Sequence, residues 1–240
     1  MTKNKELKVK NFMQKSYNIA IDGPAGAGKS TIAKAVAKQL GFIYVDTGAM
    51  YRAMGLYFVR KGIPMDNQEA IEAACQDVDI TLEYQDGAQQ VILNGENVSG
   101  LIRTEEAGKM ASTVSVHGPV RKKLVELQQL LAARTDVIMD GRDIGTCVLP
   151  HADVKIYLTA SSRTRAVRRY KELLEKGVDC SLDEIEKDII DRDYRDMHRD
   201  ISPLKQADDA VLIDSSDMTI QGVIDAIIEE AKKHGLEDRA

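Results

Sequence analysis

A glycine-rich segment near the N-terminus has the spacing of a phosphate-binding loop. Residues Gly23-Pro-Ala-Gly-Ala-Gly28-Lys29-Ser30 follow the pattern G-x-x-x-x-G-K-[ST]. Glycines let the backbone curl until successive N–H groups point at phosphate oxygens, and the following helix N-terminus adds partial positive charge. We expect Lys29 to reach the β- and γ-phosphates of a nucleoside triphosphate and Ser30 to contact Mg²⁺. The predicted triphosphate-binding residues are Gly23, Pro24, Ala25, Gly26, Ala27, Gly28, Lys29, Ser30 and Thr31.

Two further polar segments follow predicted strands. Asp46-Thr47-Gly-Ala-Met-Tyr-Arg52 opens a predicted helix, and its hydroxyl, helix N–H groups and arginine suit a second anion. Asp140-Gly-Arg-Asp143 directly follows a buried apolar run, where P-loop proteins place an aspartate that serves Mg²⁺. Carboxyl ends of strands are where doubly wound sheets bind ligands. We therefore predict Ser30 and Asp140 as the metal-binding residues.

Arginines are concentrated in two later helical stretches. Arg163, Arg165, Arg168 and Arg169 lie in the first, whereas Arg192, Arg195 and Arg199 alternate with aspartates in the second. One interpretation is a solvated, salt-bridged helix face. The other is a lid that closes over transferring phosphates, because the guanidinium fork matches phosphate oxygens and is always charged.

The elements that must position these residues alternate between short apolar runs and longer helical patterns. This alternation is typical of βα units and predicts an α/β fold with a doubly wound, five-stranded parallel sheet. Strands are predicted at Tyr17–Ile21, Phe42–Val45, Val137–Met139, Val154–Leu158 and Val211–Ile213. Helices are predicted at Thr31–Leu40, Ala49–Arg60, Ser162–Lys176, Leu182–Met197 and Ile220–Lys233. Gly41 is expected to end the first helix, and Ser181 to cap the fourth.

The segment 63–103 breaks this rhythm. Thr81–Tyr84, Gln90–Leu93 and Asn97–Ser99 have the pattern of strands joined at Asp86-Gly87 and Asn94-Gly95. Such dipeptides favour tight hairpin turns, since both residues accept positive φ. We predict a small antiparallel β insert, with helical pattern resuming from Glu105.

Composition excludes several classes of protein. The 240 residues are 43% hydrophobic and 30% charged, which fits a globular domain and excludes a disordered or coiled-coil chain. A net charge of −5 argues against bulk electrostatic binding of polymeric nucleic acid. Three separated cysteines favour free thiols in a reducing compartment, and no apolar stretch approaches the length of a membrane span. Residues 1–16 carry five lysines without an apolar segment, and we expect a disordered tail there.

Together these motifs resemble the bacterial cytidylate kinases, in the nucleoside monophosphate kinase group of P-loop proteins. The resemblance extends from Tyr17 to the last predicted helix. Its motifs are Gly23–Thr31, Tyr44–Arg52, Ile102–Glu105, Val120-Arg121, Asp140–Thr146, Arg165–Arg169, Arg192-Asp193, Ser202–Lys205 and Ala207–Ala210.

The resemblance implies ATP- and Mg²⁺-dependent phosphorylation of CMP and dCMP in cytoplasmic pyrimidine nucleotide metabolism. It implies a P-loop kinase core over 17–62 and 104–240, with a helical lid at about 160–180 and a monophosphate-binding insert at 63–103. We expect a monomer whose partners are small nucleotides, and neither polymeric nucleic acid nor a membrane.

The resemblance also implies roles for particular residues. Lys29, Arg142, Arg165 and Arg169 would be catalytic. The residues around CMP would be Thr47, Arg52, Ser112, Arg121, Arg142, Asp143, Arg192, Asp196 and Arg199. We expect Asp143 to read the cytosine base with help from Arg121 and Ser112, because a carboxylate accepts from the exocyclic amine. The alternative is that Asp143 is structural and holds Arg142.

A different class with the same loop is a P-loop switch or motor that hydrolyses nucleotide to drive a partner. A GTPase would carry an N-K-x-D motif, which this sequence lacks, and a translocase would need a basic surface. Other small-molecule kinases share the loop, but the patterns Asp140–Thr146 and Arg192–Arg199 argue against them. Acceptor-dependent consumption of ATP separates these alternatives.

Overall fold

The computed structural model describes residues 15–85 and 88–237, and its helices and strands follow the predicted alternation. Along the chain they are β1 (Asn18–Asp22), α1 (Lys29–Leu40), β2 (Ile43–Asp46), α2 (Thr47–Lys61), α3 (Gln68–Asp77), β3 (Ile80–Gln85), β4 (Ala88–Leu93), β5 (Glu96–Asn97), α4 (Glu105–Val114), α5 (Gly118–Ala132), β6 (Val137–Gly141), β7 (Val154–Thr159), α6 (Ser162–Glu175), α7 (Leu182–His198), β8 (Val211–Asp214) and α8 (Ile220–Lys233).

Five strands form one parallel sheet in the order β2-β6-β1-β7-β8. Side chains of a strand alternate between the two faces, so Ile19 and Ile21 of β1 join a cluster with α1 and α8, whereas Ala20 joins the opposite cluster. Helices pack on both faces, which explains why the central strands β1 and β6 are almost continuously buried and carry mostly apolar side chains. The predicted α/β fold with a doubly wound parallel sheet is confirmed.

The second sheet is the predicted antiparallel meander, in the order β3-β4-β5. Asn94 (φ 48°) and Gly95 (φ 83°) form the predicted tight turn, while Asp86-Gly87 lies outside the described residues. The third strand is Glu96–Asn97 and not Asn97–Ser99. Its ladder ends because the Ser99 hydroxyl accepts a hydrogen bond from the Val91 N–H (2.8 Å).

Helix α3 in the insert was not expected from the sequence. It is short and mostly exposed, and only Ile71, Ala74 and Cys75 are buried on its inner face. The Asn67 side chain accepts from the Ala70 N–H (3.0 Å) and caps its start. The buried face joins a cluster shared with α2 and α5, so the insert is packed against the main body.

Several boundaries differ from the predictions where the chain enters the ligand-binding edge. Helix α1 begins at Lys29, two residues before the predicted start, because the glycine-rich loop leads directly into it. Strand β6 includes Asp140, which pairs with Ile21, so this aspartate lies within the strand and not after it. A single π-helical turn at Ile144–Val148, also not predicted, follows the strand.

The ends of the helices agree with their predicted caps. Gly41 adopts φ 70° and its N–H bonds to the Ala37 carbonyl, which ends α1. The Ser181 hydroxyl accepts from the Glu184 N–H (3.4 Å) and caps α7. Of the predicted tail, residues 1–14 lie outside the described part of the chain, whereas the Ser16 hydroxyl donates to the Ala132 carbonyl (2.6 Å). Within the ranges 15–85 and 88–237, no helix is long and apolar enough to cross a membrane.

Candidate active site

The glycine-rich loop leaves β1 at the carboxyl edge of the sheet and ends at the first turn of α1. Gly23 adopts φ 148°, and a Cβ there would lie 1.9 Å from the Leu158 carbonyl oxygen, so a side chain is excluded. Gly26 and Gly28 also have positive φ, which L-residues rarely adopt. Gly28 occupies the N-cap of α1 without a side-chain cap, so the first-turn N–H groups face the site. This geometry suits an anion.

Lys29 is a buried cation beside that loop. Only 5% of the residue is exposed, and its Nζ donates to the Pro24 carbonyl (2.7 Å). Burial and, to a lesser extent, the neighbouring Arg142 lower the pKa of Lys29 to about 7, although the Asp140 and Asp22 carboxylates oppose the shift. A bound polyphosphate would supply the negative charge that this ammonium lacks.

A hydrogen-bonded group on β2, β6 and α1 surrounds the Asp140 carboxylate. Ser30 Oγ donates to Asp140 Oδ2 (2.8 Å), and the Tyr44 hydroxyl donates to Oδ1 (2.7 Å). Burial and the nearby Asp46 carboxylate raise the pKa of Asp140. Hydroxyl and carboxylate oxygens are the ligands that Mg²⁺ prefers, with water completing its shell. The predicted pair Ser30 and Asp140 is therefore brought together with the right chemistry for that ion.

Arginines from three elements face the same space. Arg52 on α2 donates to Asp46 Oδ2 (2.9 Å), and Arg142 Nε donates to Asp196 Oδ2 (2.8 Å). The buried Nε atoms of Arg52 and Arg192 have no hydrogen-bond partner among the described residues. A buried N–H without a partner is costly, so these two donors are suited to an anionic ligand.

The carboxylate of Asp196 shows the electrostatic balance of this group. Burial opposes its ionisation, but the guanidinium groups of Arg142, Arg192 and Arg199 together lower its pKa. Burial and the neighbouring Arg142 lower the pKa of Arg192 in turn. The site therefore has more positive charge than its own carboxylates neutralise, which favours a phosphate.

Asp143 forms the opposite wall and is ion-paired to two buried arginines. Arg121 on α5 donates to Asp143 Oδ2, and Arg199 donates to Oδ1 (3.4 Å). Arg121 also lies over the ring of Tyr51, 5.9 Å from its centroid. Because Arg142 bonds to Asp196 instead, Asp143 does not hold Arg142 in this structure. The alternative interpretation of Asp143 thus lacks its proposed partner.

These groups enclose one cavity of about 360 Å³. All nine residues predicted to surround the acceptor line it, although they come from five separate segments of the chain. The loop contributes Ala25, Gly26, Gly28, Lys29, Ser30 and Thr31 to the lining, whereas Gly23, Pro24 and Ala27 lie behind it. The residues predicted to bind the triphosphate and those predicted to surround the acceptor therefore line the same cavity.

Arg165 and Arg169, predicted as catalytic, do not line this cavity. Arg165 is buried, and it donates to the Ala25 carbonyl of the loop (2.9 Å) and to the Asp193 carboxylate. It thereby links α6, α7 and the glycine-rich loop. Arg169 is half-exposed and pairs with Glu172 one turn along α6 (3.2 Å).

Sequence reasoning did not single out several lining residues. Asp46 and Tyr51 belong to the motif Asp46–Arg52, but neither was assigned a role from the sequence. Tyr51 could have been noticed because it directly precedes Arg52. Glu172 on α6 and Ser115 after α4 also line the cavity. Nothing in the local pattern of either segment distinguishes them from solvated helix residues.

Asp22, at the end of β1, is a further buried carboxylate that the sequence did not assign. It accepts hydrogen bonds from the N–H groups of Ile144 and Gly145, at 2.7 Å each, and so fixes the π-helical turn that follows Asp143. Burial outweighs the opposing effect of these two bonds and raises the pKa of Asp22 to about 6.

We expect this carboxyl to make stability depend on pH. The folded chain holds the Asp22 proton more tightly than the unfolded chain, in which the ordinary pKa is 3.8. Its contribution to the free energy of unfolding is therefore complete below pH 4 and is lost as the pH rises to 6, by about 3 kcal/mol. Urea denaturation of the wild type and Asp22→Asn at several pH values measures this difference.

Asp66→Asn, the same substitution at an exposed position, is the control. A difference between wild type and Asp22→Asn that stays constant from pH 4 to 7 would contradict the assignment.

Comparisons with known proteins agree with this geometry. A model of the cytidylate kinase family matches residues 19–233. The cytidylate kinase of Ligilactobacillus salivarius (strain UCC118) is 49% identical over 224 residues, covering 92% of this chain and 100% of that protein. Those of Lactobacillus johnsonii (50% identical; 90% and 94% covered) and Desulfitobacterium hafniense (49%; 90% and 93%) are similarly related. With this match over most of its length, the chain belongs to the cytidylate kinase family, and its glycine-rich loop, Ser30, Asp140 and the arginines line one cavity.

Proposed function

We propose that this protein transfers the γ-phosphoryl group of ATP to CMP or dCMP, giving ADP and CDP or dCDP. The observation that carries the proposal is the single cavity in which the glycine-rich loop meets all nine predicted acceptor residues. The family membership and the names of the relatives support the same reaction.

The chemistry asks mainly for alignment and charge neutralisation. Phosphoryl transfer brings two polyanions together in line, and little covalent chemistry is required of the protein. An oxygen of the acceptor phosphate attacks the γ-phosphorus as the bond to the ADP oxygen breaks. The acceptor phosphate is already ionised, so no general base is needed.

The residues divide between donor and acceptor. Lys29 and the N-terminus of α1 bind the ATP phosphates, and Arg52, Arg142 and Arg192 bind the acceptor phosphate between them. Bound at Ser30 and Asp140, Mg²⁺ would neutralise charge on the donor phosphates. The Asp143 carboxylate, held by Arg121 and Arg199, faces the base.

The lid arginines act through a change of conformation. Arg165 and Arg169 lie on α6 outside the cavity, and α6 is joined to α7 by the ion pair of Arg163 with Glu186 (2.8 Å). Closing this hairpin over the bound nucleotides would exclude water and bring Arg169 toward the transferring phosphate. We place the monomeric enzyme in the cytoplasm and in pyrimidine nucleotide metabolism, which its three free cysteines fit.

An acceptor screen tests the proposed reaction. Purified protein is given ATP and Mg²⁺ with CMP, dCMP, UMP, AMP, GMP, shikimate or no acceptor, and ADP formation is followed by a coupled assay. We expect CMP and dCMP to give the highest kcat/KM, with hydrolysis alone at a small fraction of that rate. Hydrolysis as the main activity would favour the P-loop switch.

Removing the acceptor arginines should weaken the use of CMP without weakening the binding of ATP. We expect Arg52→Ala and Arg142→Ala to raise the KM for CMP at least tenfold, because a hydrogen bond to a charged group contributes about 1.5–3 kcal/mol. The Kd for ATP alone, measured by calorimetry, should stay within about twofold. Arg60→Ala is the matched control, since Arg60 lies on the same helix and pairs with Glu96 at the surface. An equal loss of ATP affinity would move Arg52 and Arg142 to the donor site.

A further inference from the structure

The outer edge of β2 is satisfied by side chains of the insert and not by another strand. β2 is the last strand of the five-stranded sheet, and on its inner side the Ile43 N–H donates to the Asp136 carbonyl of the segment leading into β6 (3.0 Å). Successive peptide groups of a strand point to opposite edges. Tyr44 and Asp46 therefore direct their backbone groups away from β6, toward the insert.

Two residues of the insert meet these groups. The Tyr84 hydroxyl donates to the Tyr44 carbonyl (3.1 Å). Gln89 bonds both backbone groups of Asp46: its Oε1 accepts from the Asp46 N–H (2.8 Å), and its Nε2 donates to the Asp46 carbonyl (3.3 Å). Tyr84 and Gln89 are direct partners across β3 and β4, so one cross-strand pair docks the hairpin on β2.

Gln89 thereby holds the residue that orients an acceptor-site arginine. The Asp46 carboxylate caps α2 by accepting from the Ala49 N–H (2.9 Å), and it also accepts from Arg52 (2.9 Å). Gly48 allows this arrangement, because a Cβ there would lie 3.2 Å from Asp46 Oδ1 and 3.4 Å from an Arg52 nitrogen. The position of the Asp46 backbone consequently sets the position of the Arg52 guanidinium.

We infer that Gln89 is a positioning residue for the acceptor phosphate, acting through Asp46 on Arg52. The inference rests on the proposed function, in which Arg52 binds the phosphate of CMP. Gln89 itself is not among the residues lining the active-site cavity. Its carboxamide makes the two backbone hydrogen bonds that a peptide group of a neighbouring strand would make. These bonds connect the insert to the acceptor site.

The test compares the same substitution at two adjacent positions of β4. Gln89→Leu removes both bonds to Asp46, and a cavity of about 770 Å³ beside Gln89 provides space for the branched side chain. Gln90→Leu is the matched control, because Gln90 points to the opposite face and bonds to Asn97 (3.1 Å). We expect Gln89→Leu to raise the Kd and KM for CMP by about five- to tenfold, because the substitution removes two hydrogen bonds. The KM for ATP and kcat should stay within twofold, and Gln90→Leu should change none of these values.

A double-variant cycle distinguishes positioning from general stability. In an Arg52→Ala background, we expect Gln89→Leu to add less than a twofold change in CMP affinity, because its effect passes through the missing arginine. Calorimetry of CMP binding supplies this readout independently of turnover. Three outcomes would overturn the inference. The fold-changes in the Kd for CMP could multiply in the double variant, or Gln89→Leu could leave that Kd unchanged. Gln89→Leu could also raise the KM for ATP as much as the KM for CMP. A wild-type protein that neither binds nor phosphorylates CMP would instead reject the proposed function.

Discussion

Lys29→Met is expected to lower kcat by about 100- to 1000-fold in a protein that remains folded. The ammonium is buried at the start of α1. In the proposed mechanism it contacts the phosphate on which charge develops. One such contact is typically worth about 3–4 kcal/mol of transition-state stabilisation. Methionine keeps the unbranched stem and its packing but carries no charge. Steady-state kinetics at saturating ATP and CMP measures the effect.

The same substitution should leave the free energy of unfolding unchanged or raise it. Burial lowers the pKa of Lys29 to about 7, which means that the folded state disfavours its charge. A neutral side chain removes that disadvantage, at the loss of one hydrogen bond to Pro24. Lys38→Met, at an exposed position of the same helix, is the control for both measurements. A folded Lys29→Met enzyme with a kcat within tenfold of the wild type would remove Lys29 from the mechanism.

Asp143→Asn is expected to lower kcat/KM for CMP and to narrow the preference for CMP over UMP by about tenfold. Cytosine presents an exocyclic amine where uracil presents an oxygen, and an ionised carboxylate can only accept. Although Asp143 already bonds to Arg121 and Arg199, a carboxylate has about four acceptor positions, so lone pairs remain for the amine. Such a contact contributes about 1–3 kcal/mol of discrimination. Asparagine can present either an acceptor or a donor, and it therefore tolerates both bases.

The Asp143→Asn substitution will also lower the stability of the protein, so the experiment needs a control for this effect. The side chains of Arg121 and Arg199 are only 6% and 8% exposed, and breaking a buried ion pair costs about 3–5 kcal/mol. Asp22→Asn is the matched control, since it also removes a buried carboxylate next to the π-helical turn but does not line the cavity. We expect Asp22→Asn to preserve the CMP/UMP ratio of kcat/KM. If Asp143→Asn lowers kcat/KM for CMP and for UMP by the same factor, Asp143 is structural and does not read the base.

Much of the donor site could be predicted from sequence because its determinants are local. Gly28 has a positive φ where the loop enters α1, and the motif itself places a glycine there, whereas Gly23 is also required by the distant Leu158 carbonyl. The strands were also recognisable from their short apolar runs, which are most continuous in the central strands β1 and β6, where both faces are buried. Boundaries shifted by one or two residues where pairing continued into polar residues, as at Asp140 in β6.

The residues predicted to surround the acceptor came largely from the resemblance, whereas their hydrogen-bond partners depend on the tertiary structure. Arg142 pairs with Asp196, 54 residues away, and Arg121 pairs with Asp143, 22 residues away. Residue types alone do not choose among several arginines and aspartates on helices that pack together. That choice depends on which side chains become buried at the same point, where an unpaired charge is too costly to remain.

The largest difference lies in residues whose role exists only after folding. Asp22 reads as the polar end of a strand, and Gln89 as one of two adjacent glutamines in a hairpin. In the folded chain, Asp22 accepts hydrogen bonds from two backbone N–H groups, and Gln89 bonds to the open edge of β2. Sequence by itself determined the fold class, the phosphate-binding loop and the residues able to do the chemistry. Tertiary structure determined which of them share one cavity and which hold the others in place, because backbone groups left unpaired by one element are satisfied by side chains distant in the chain.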